Sequence, residues 1–128
     1  MATQEDVRRI ALGLPGASEE EGRFAFSVDN KGKPKAFAWV WNERIVPKKP
    51  RVPNPEVLAV RVAGEEAKQF LIGAVPGTFF TEPHYNGFPA VLLRLGAIEA
   101  EQLESLIIDG WRCQAPKALV REFDAKPD

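Results

Sequence analysis

The apolar positions of this chain change period several times, and the changes mark its elements. Val7, Ile10, Ala11 and Leu14 recur at i, i+3, i+4 and i+7, the spacing of one helical stripe. Thr3 stands where a helix N-cap belongs, with Asp6 three residues on in an imperfect capping-box position, and Pro15-Gly16 ends the run. Glu19, Glu20 and Glu21 read as a solvated turn. Phe24, Phe26 and Val28 fall on one face of a period-two alternation, which predicts a strand over 23–28. Residues 29–34 have turn composition, and residues 35–42 read as a second strand, so 23–42 is expected to be a hairpin. Strict alternation puts Phe37, Trp39 and Trp41 on one side and Ala36, Ala38 and Val40 on the other.

Four prolines within residues 46–55 predict a stiff, extended basic loop, too proline-rich for sheet interior. Residues 57–62 read as a third strand, with Leu58, Val60 and Val62 facing the core and Arg61 facing out. Residues 65–72 read as a short helix with Ala67, Phe70 and Leu71 buried, stopped by Gly73. Phe79-Phe80 begins a fourth strand. Residues 90–95 form another, with Val91, Leu93 and Leu95 inward and Arg94 outward. The last helix runs from about Glu99 to Gln114 on Leu103, Leu106, Ile107 and Trp111, and Gly110 permits close approach to a neighbour. Residues 117–123 are expected to add a frayed turn. The order α-β-β-β-α-β-β-α predicts an α+β fold: two layers, a mainly antiparallel sheet, helices on one side.

Composition narrows the setting more than the chemistry. A chain of 128 residues with about a quarter charged positions is expected to be one domain, residues 1–128, with a core that needs no staples. The one cysteine, Cys113, cannot close an intramolecular disulfide. No basic-then-apolar leader and no apolar run near twenty residues is visible, so the expected location is the cytoplasm, with no membrane association. The net charge of −1 argues against a purely electrostatic nucleic-acid binder. Its distribution is uneven, however. Residues 31–62 hold eight basic residues against Glu43 and Glu56 alone, and a local basic block can be a binding footprint or simply a solvated surface.

No reaction is marked. Catalysis would have to run through His84, the only histidine, with Glu82 and Tyr85 to orient it. No Gly-x-Ser-x-Gly elbow accompanies it, and Cys113 lies far away in sequence. One His and one Cys give no metal-ligand spacing, and the glycines fit no phosphate-binding loop. No metal and no cofactor is expected. The Phe37-Trp39-Trp41 row is read as core, because large aromatics dominate core burial. The alternative is an open-face platform that stacks bases, with Arg61 and Arg94 on phosphates.

Several short stretches, in order, carry a resemblance. They are Leu14-Pro-Gly16, Gly32-Lys-Pro34 through Phe37-Ala-Trp39, and Leu58-Ala-Val-Arg-Val62. Pro76-Gly77, Thr81-Glu-Pro-His-Tyr85, Val91-Leu-Leu-Arg-Leu95, Trp111-Arg112 and Ala115-Pro-Lys117 follow. Over nearly its full length the chain resembles the MmcQ/YjbR family of small bacterial proteins. The resemblance implies a secretion-chaperone-like α/β layout with a double wing of hairpins. It also implies a DNA-binding-like character, and no catalytic residues. The leading expectation is thus a non-enzymatic protein that binds DNA weakly and without sequence preference. Lys31, Lys33, Lys35, Lys48, Lys49, Arg51, Arg61 and Arg94 would meet phosphate. The runner-up is a protein-binding adaptor or chaperone-like module, monomer or homodimer, that uses the open sheet face or an edge strand. A third expectation is a ligand or partner site of His84, Tyr85, Trp111 and Arg112.

Overall fold

The computed structural model describes residues 1–125. Its elements are α1 (Gln4–Leu12), β1 (Ala17–Glu19), β2 (Ala25–Asn30), β3 (Lys33–Glu43) and β4 (Val52–Arg61). They continue with α2 (Glu65–Ala74), β5 (Phe79–Phe80), β6 (Ala90–Arg94), α3 (Ala100–Gln114) and α4 (Lys117–Ala125). The strands form one antiparallel sheet in the order β1-β2-β3-β4-β6-β5. Helices pack on one side of it, as the order of elements predicts.

The helix-side core is closed and apolar. Val7, Ile10 and Ala11 of α1 and Leu103, Ile107 and Trp111 of α3 are buried against Phe26, Phe37, Leu58, Val60, Val91 and Leu93 of the sheet. Thr3 and Asp6 form a reciprocal capping box at the start of α1, which satisfies two otherwise orphaned N–H groups. Gly110 is where α3 crosses the sheet. A Cβ there would lie 3.0 Å from the Arg61 carbonyl oxygen and 3.1 Å from that of Phe37, so only glycine permits this contact.

Several local expectations are corrected. The acidic run is partly strand: Glu19 closes β1, where Arg8 of α1 donates from Nε and Nη2 to its two carboxylate oxygens at 2.8 and 2.9 Å. A bidentate guanidinium explains why a glutamate is at home there. The hairpin turn shrinks to Lys31-Gly32, both with positive φ (56° and 83°), the backbone of a two-residue turn that matches strand twist. β4 starts at Val52 and takes in Pro53 and Pro55. Only β3 flanks this half of the strand, since β6 pairs with residues 57–61, so the missing N–H groups cost no second ladder. The frayed turn after α3 is a full helix, α4, with Leu119, Val120 and Phe123 packed on the core. Arg112 of α3 pairs with Asp124 of α4.

Two corrections change which residues face where. β3 does not alternate strictly. Phe26 pairs with Ala38 but Ser27 pairs with Ala36, so Phe37 is the extra residue of a β-bulge. Phe37 and Ala38 both join the helix-side core, while Trp39 and Trp41 turn to the opposite face. The aromatic row is split, and the expectation that its tryptophans lie in the main core is overturned. In α2, Phe70 is 72% exposed and Lys68 is fully buried. The helix is rotated so that Ala67, Lys68, Leu71 and Ile72 face inward, because Lys68 has partners there that Phe70 would lack.

Candidate functional site

The face of the sheet away from the helices carries a second, smaller apolar cluster. Val57, Ala59 and Leu92 form its floor, and Trp39, Trp41, Phe80 and Tyr85 pack on them. Trp39 stands opposite Ala59 in the register of β3 and β4. Small residues on one strand thus make room for the rings of the next. Trp41 meets Phe80 edge-to-face at 5.7 Å between centroids, and the Arg94 guanidinium lies 4.2 Å over the outer part of that pair, on Phe80. Arg94 is exposed, while Arg61 turns its Nε to the Val62 carbonyl oxygen at 3.3 Å. The Trp41 indole nitrogen and Oε1 of Glu82 are shielded from solvent and have no hydrogen-bond partner among the described residues.

The loop between β5 and β6 covers one end of this face. Pro83, His84 and Tyr85 form a single 3₁₀ turn, started by a proline whose missing N–H would be unpaired there anyway. Trp39 donates its indole N–H to the Tyr85 hydroxyl oxygen at 3.0 Å. From the other side, Lys68 of α2 donates to the carbonyl oxygens of Tyr85 (2.5 Å) and Phe88 (3.0 Å). Burial pushes the Lys68 pKa below the ordinary lysine value, with Glu65 partly opposing the shift. A buried ammonium is costly unless it is hydrogen-bonded, and here two carbonyls of one loop supply that bonding. Lys68 therefore fastens the aromatic loop. The apolar spacing of α2 gives no hint of it; the signal available in sequence was a lysine at i+4 from Gly64 and i−4 from Ile72.

The candidate residues are dispersed. Lys33 and Lys35 pair with Asn30 and Val28, so they project on the helix side of the hairpin tip, and Lys31 sits in its turn. Lys48 and Lys49 lie on the loop beyond Glu43, at the far end of β3. Eleven strand residues separate the two groups by about 33 Å at ~3.3 Å per residue. Arg51 donates to the Asn42 carbonyl oxygen at 3.1 Å. Arg61 and Arg94 are on β4 and β6. His84 and Tyr85 are neighbours, with ring centroids 5.9 Å apart, but Trp111 and Arg112 do not join them. Trp111 is buried on the other side of the sheet and donates its N–H to the Pro15 carbonyl oxygen at 3.0 Å. The four-residue site is not assembled.

The chain is 41% identical over 132 residues, 96% of each chain, to Uncharacterized protein Rv2570 of Mycobacterium tuberculosis, and equally to Uncharacterized protein Mb2600 of Mycobacterium bovis. It belongs to their family. The fold of this chain is similar to that in the crystal structure of Deinococcus radiodurans protein DR2400, family-model domain DUF419. The TM-score is 0.67 at 22% identity, covering 98% of this chain and 91% of that one. At that identity the likeness shows the fold alone. No family model matches the chain itself. Among the described residues no helix is long and apolar enough to cross a membrane, and no three His, Cys, Asp or Glu side chains gather as metal ligands would.

Proposed function

We propose that this protein, read as one of the MmcQ/YjbR kind, is a non-enzymatic nucleic-acid-binding protein of low sequence specificity. Its working surface is the aromatic sheet face and the basic loop beside it. The supporting observation is the end of β3. Trp41 faces the open side three residues before Arg44, and the exposed Lys48 and Lys49 follow on the same loop. Every ion pair among the described residues lies outside residues 31–62, so these lysines carry charge that no carboxylate offsets. Aromatic rings beside free cations suit a strand whose bases stack and whose phosphates pair. His84 is exposed and lacks the partners a general base needs, which supports a binding role over a catalytic one.

The test is a titration of labelled single-stranded and duplex DNA at several salt concentrations. Micromolar binding that weakens steeply with salt is expected. Reversing Lys48 and Lys49 to glutamate should lower affinity and reduce the slope of log K against log salt by about 1.4 to 1.8, two phosphate contacts' worth. Unchanged affinity in that variant removes the loop from the contact, and no binding at low salt overturns the reading.

A protein-binding role has its own support. Phe70 is exposed on the rim of an apolar groove of about 810 Å³ between α2 and α3, floored by Val62, Ala67, Leu71 and Leu106. An exposed ring beside an apolar groove is typical of interaction surfaces. A change of Phe70 to serine that abolishes a protein contact without altering DNA affinity would favour this reading.

A further inference from the structure

The loop between β5 and β6 builds a small aromatic enclosure with the sheet. Trp39, His84, Tyr85 and Phe88 line one cavity of about 190 Å³. Their rings are not stacked. Trp39 and Phe88 stand at 72° with centroids 6.4 Å apart, Tyr85 and Phe88 at 89° and 6.0 Å, His84 and Tyr85 at 67° and 5.9 Å. A parallel pair would sandwich a flat base. Perpendicular rings instead wall in something compact.

We propose that this enclosure binds a quaternary or fully methylated ammonium group. Trp39, His84, Tyr85 and Phe88 line this one small space, so a compact cation seated in it meets several rings inside the ~6 Å reach of a cation–π contact. The Trp39 N–H is already given to the Tyr85 hydroxyl oxygen, which leaves the Tyr85 O–H and the His84 ring nitrogens as the free polar groups of a wall that is otherwise aromatic. A primary ammonium would enter at the cost of unpaired N–H groups; a trimethylammonium has none.

Three further features bear on the site. Phe88 is 45% exposed, a large ring left at the rim with nothing over it. Oε1 of Glu82, two residues before His84 but outside the cavity wall, is solvent-shielded and unpartnered among the described residues. The one ammonium anchored to the loop, Lys68, is turned to the carbonyls of Tyr85 and Phe88, where it fixes the two rings. The site is thus held from both sides before any ligand arrives, which keeps the ordering cost of binding low.

The probes are choline, its uncharged tert-butyl analogue, and a short peptide carrying trimethyllysine, each titrated into the full chain by calorimetry and by NMR. Saturable choline binding in the millimolar range or tighter is expected, about tenfold stronger than the neutral analogue. Phe88→Leu should weaken choline about tenfold, and that exposed position leaves the fold intact even if Trp39→Leu does not. Tighter binding of the peptide would name a modified protein side chain as the source of the group, and tighter binding of choline a free solute. Equal affinity for choline and the neutral analogue would make the cavity a plain apolar slot and overturn the proposal. So would the absence of saturable binding to both charged probes, or full choline affinity in Phe88→Leu.

Discussion

The two faces of this sheet are built from the same strands and behave as opposites. On the helix side, Phe26, Phe37, Leu58 and Val60 are wholly covered by α1 and α3, and the one polar atom of note, the Trp111 indole nitrogen, has the Pro15 carbonyl as partner. On the other side, three buried residues carry four aromatic side chains that remain partly in contact with water. One of those, Trp41, has a shielded N–H without a partner. The closed face is what folding requires. The open one keeps large rings partly exposed that no helix among the described residues comes to cover.

The contrast can be broken at its strong end first. Phe37→Ala empties a fully buried site and should cost about 3–5 kcal/mol in urea unfolding, leaving the β5–β6 loop unchanged in what remains folded. Gly110→Ala drives a Cβ against two backbone carbonyls and should cost about 1–3 kcal/mol. Lys68→Met comes next. Both loop carbonyls lose their donor, so amide exchange in the β5–β6 loop should accelerate well before global stability falls. Its pH signature has a definite sign. The folded-state pKa of Lys68 lies below its unfolded value, so above the folded pKa the unfolded chain binds more protons, and stability rises with pH until the ordinary lysine value is passed. Wild type should therefore gain stability relative to Lys68→Met across that alkaline window; parallel profiles would mean that Lys68 titrates normally.

The smallest effects sharpen the comparison within the open face. Trp39→Phe removes a hydrogen bond to Tyr85 and should cost about 1 kcal/mol. Trp41→Phe deletes an N–H that has no partner, so its cost should be lower, despite the similar size of the ring removed. Equal losses from the two substitutions would show that the Trp39–Tyr85 bond adds nothing to the fold.

Much of the closed face was legible in the sequence. The helical stripe from Val7 to Leu14, the triplets Leu58-Val60-Val62 and Val91-Leu93-Leu95, and the apolar side of α3 all follow period rules that burial enforces. The open face was less so, for two reasons. A bulge inserts one residue without any mark in the hydrophobic pattern, so the alternation across Phe37 pointed Trp39 the wrong way. Lys68 is inward because two carbonyls on a distant loop need a donor, and no local propensity records a partner seventeen or twenty residues on. The basic block was visible as composition, but only the register of β2 and β3 shows that its two halves lie at opposite ends of one long strand.

That bulge divides β3 into two stretches of different phase. Side chains at residues 33–35 answer to the hairpin and the helix layer, and Trp39 and Trp41 answer to the aromatic face. Because the phase is reset between them, a one-residue insertion or deletion in the hairpin turn can be absorbed at Phe37 without rotating the tryptophans. The hairpin end of the strand is thereby uncoupled in phase from the end that carries the rings.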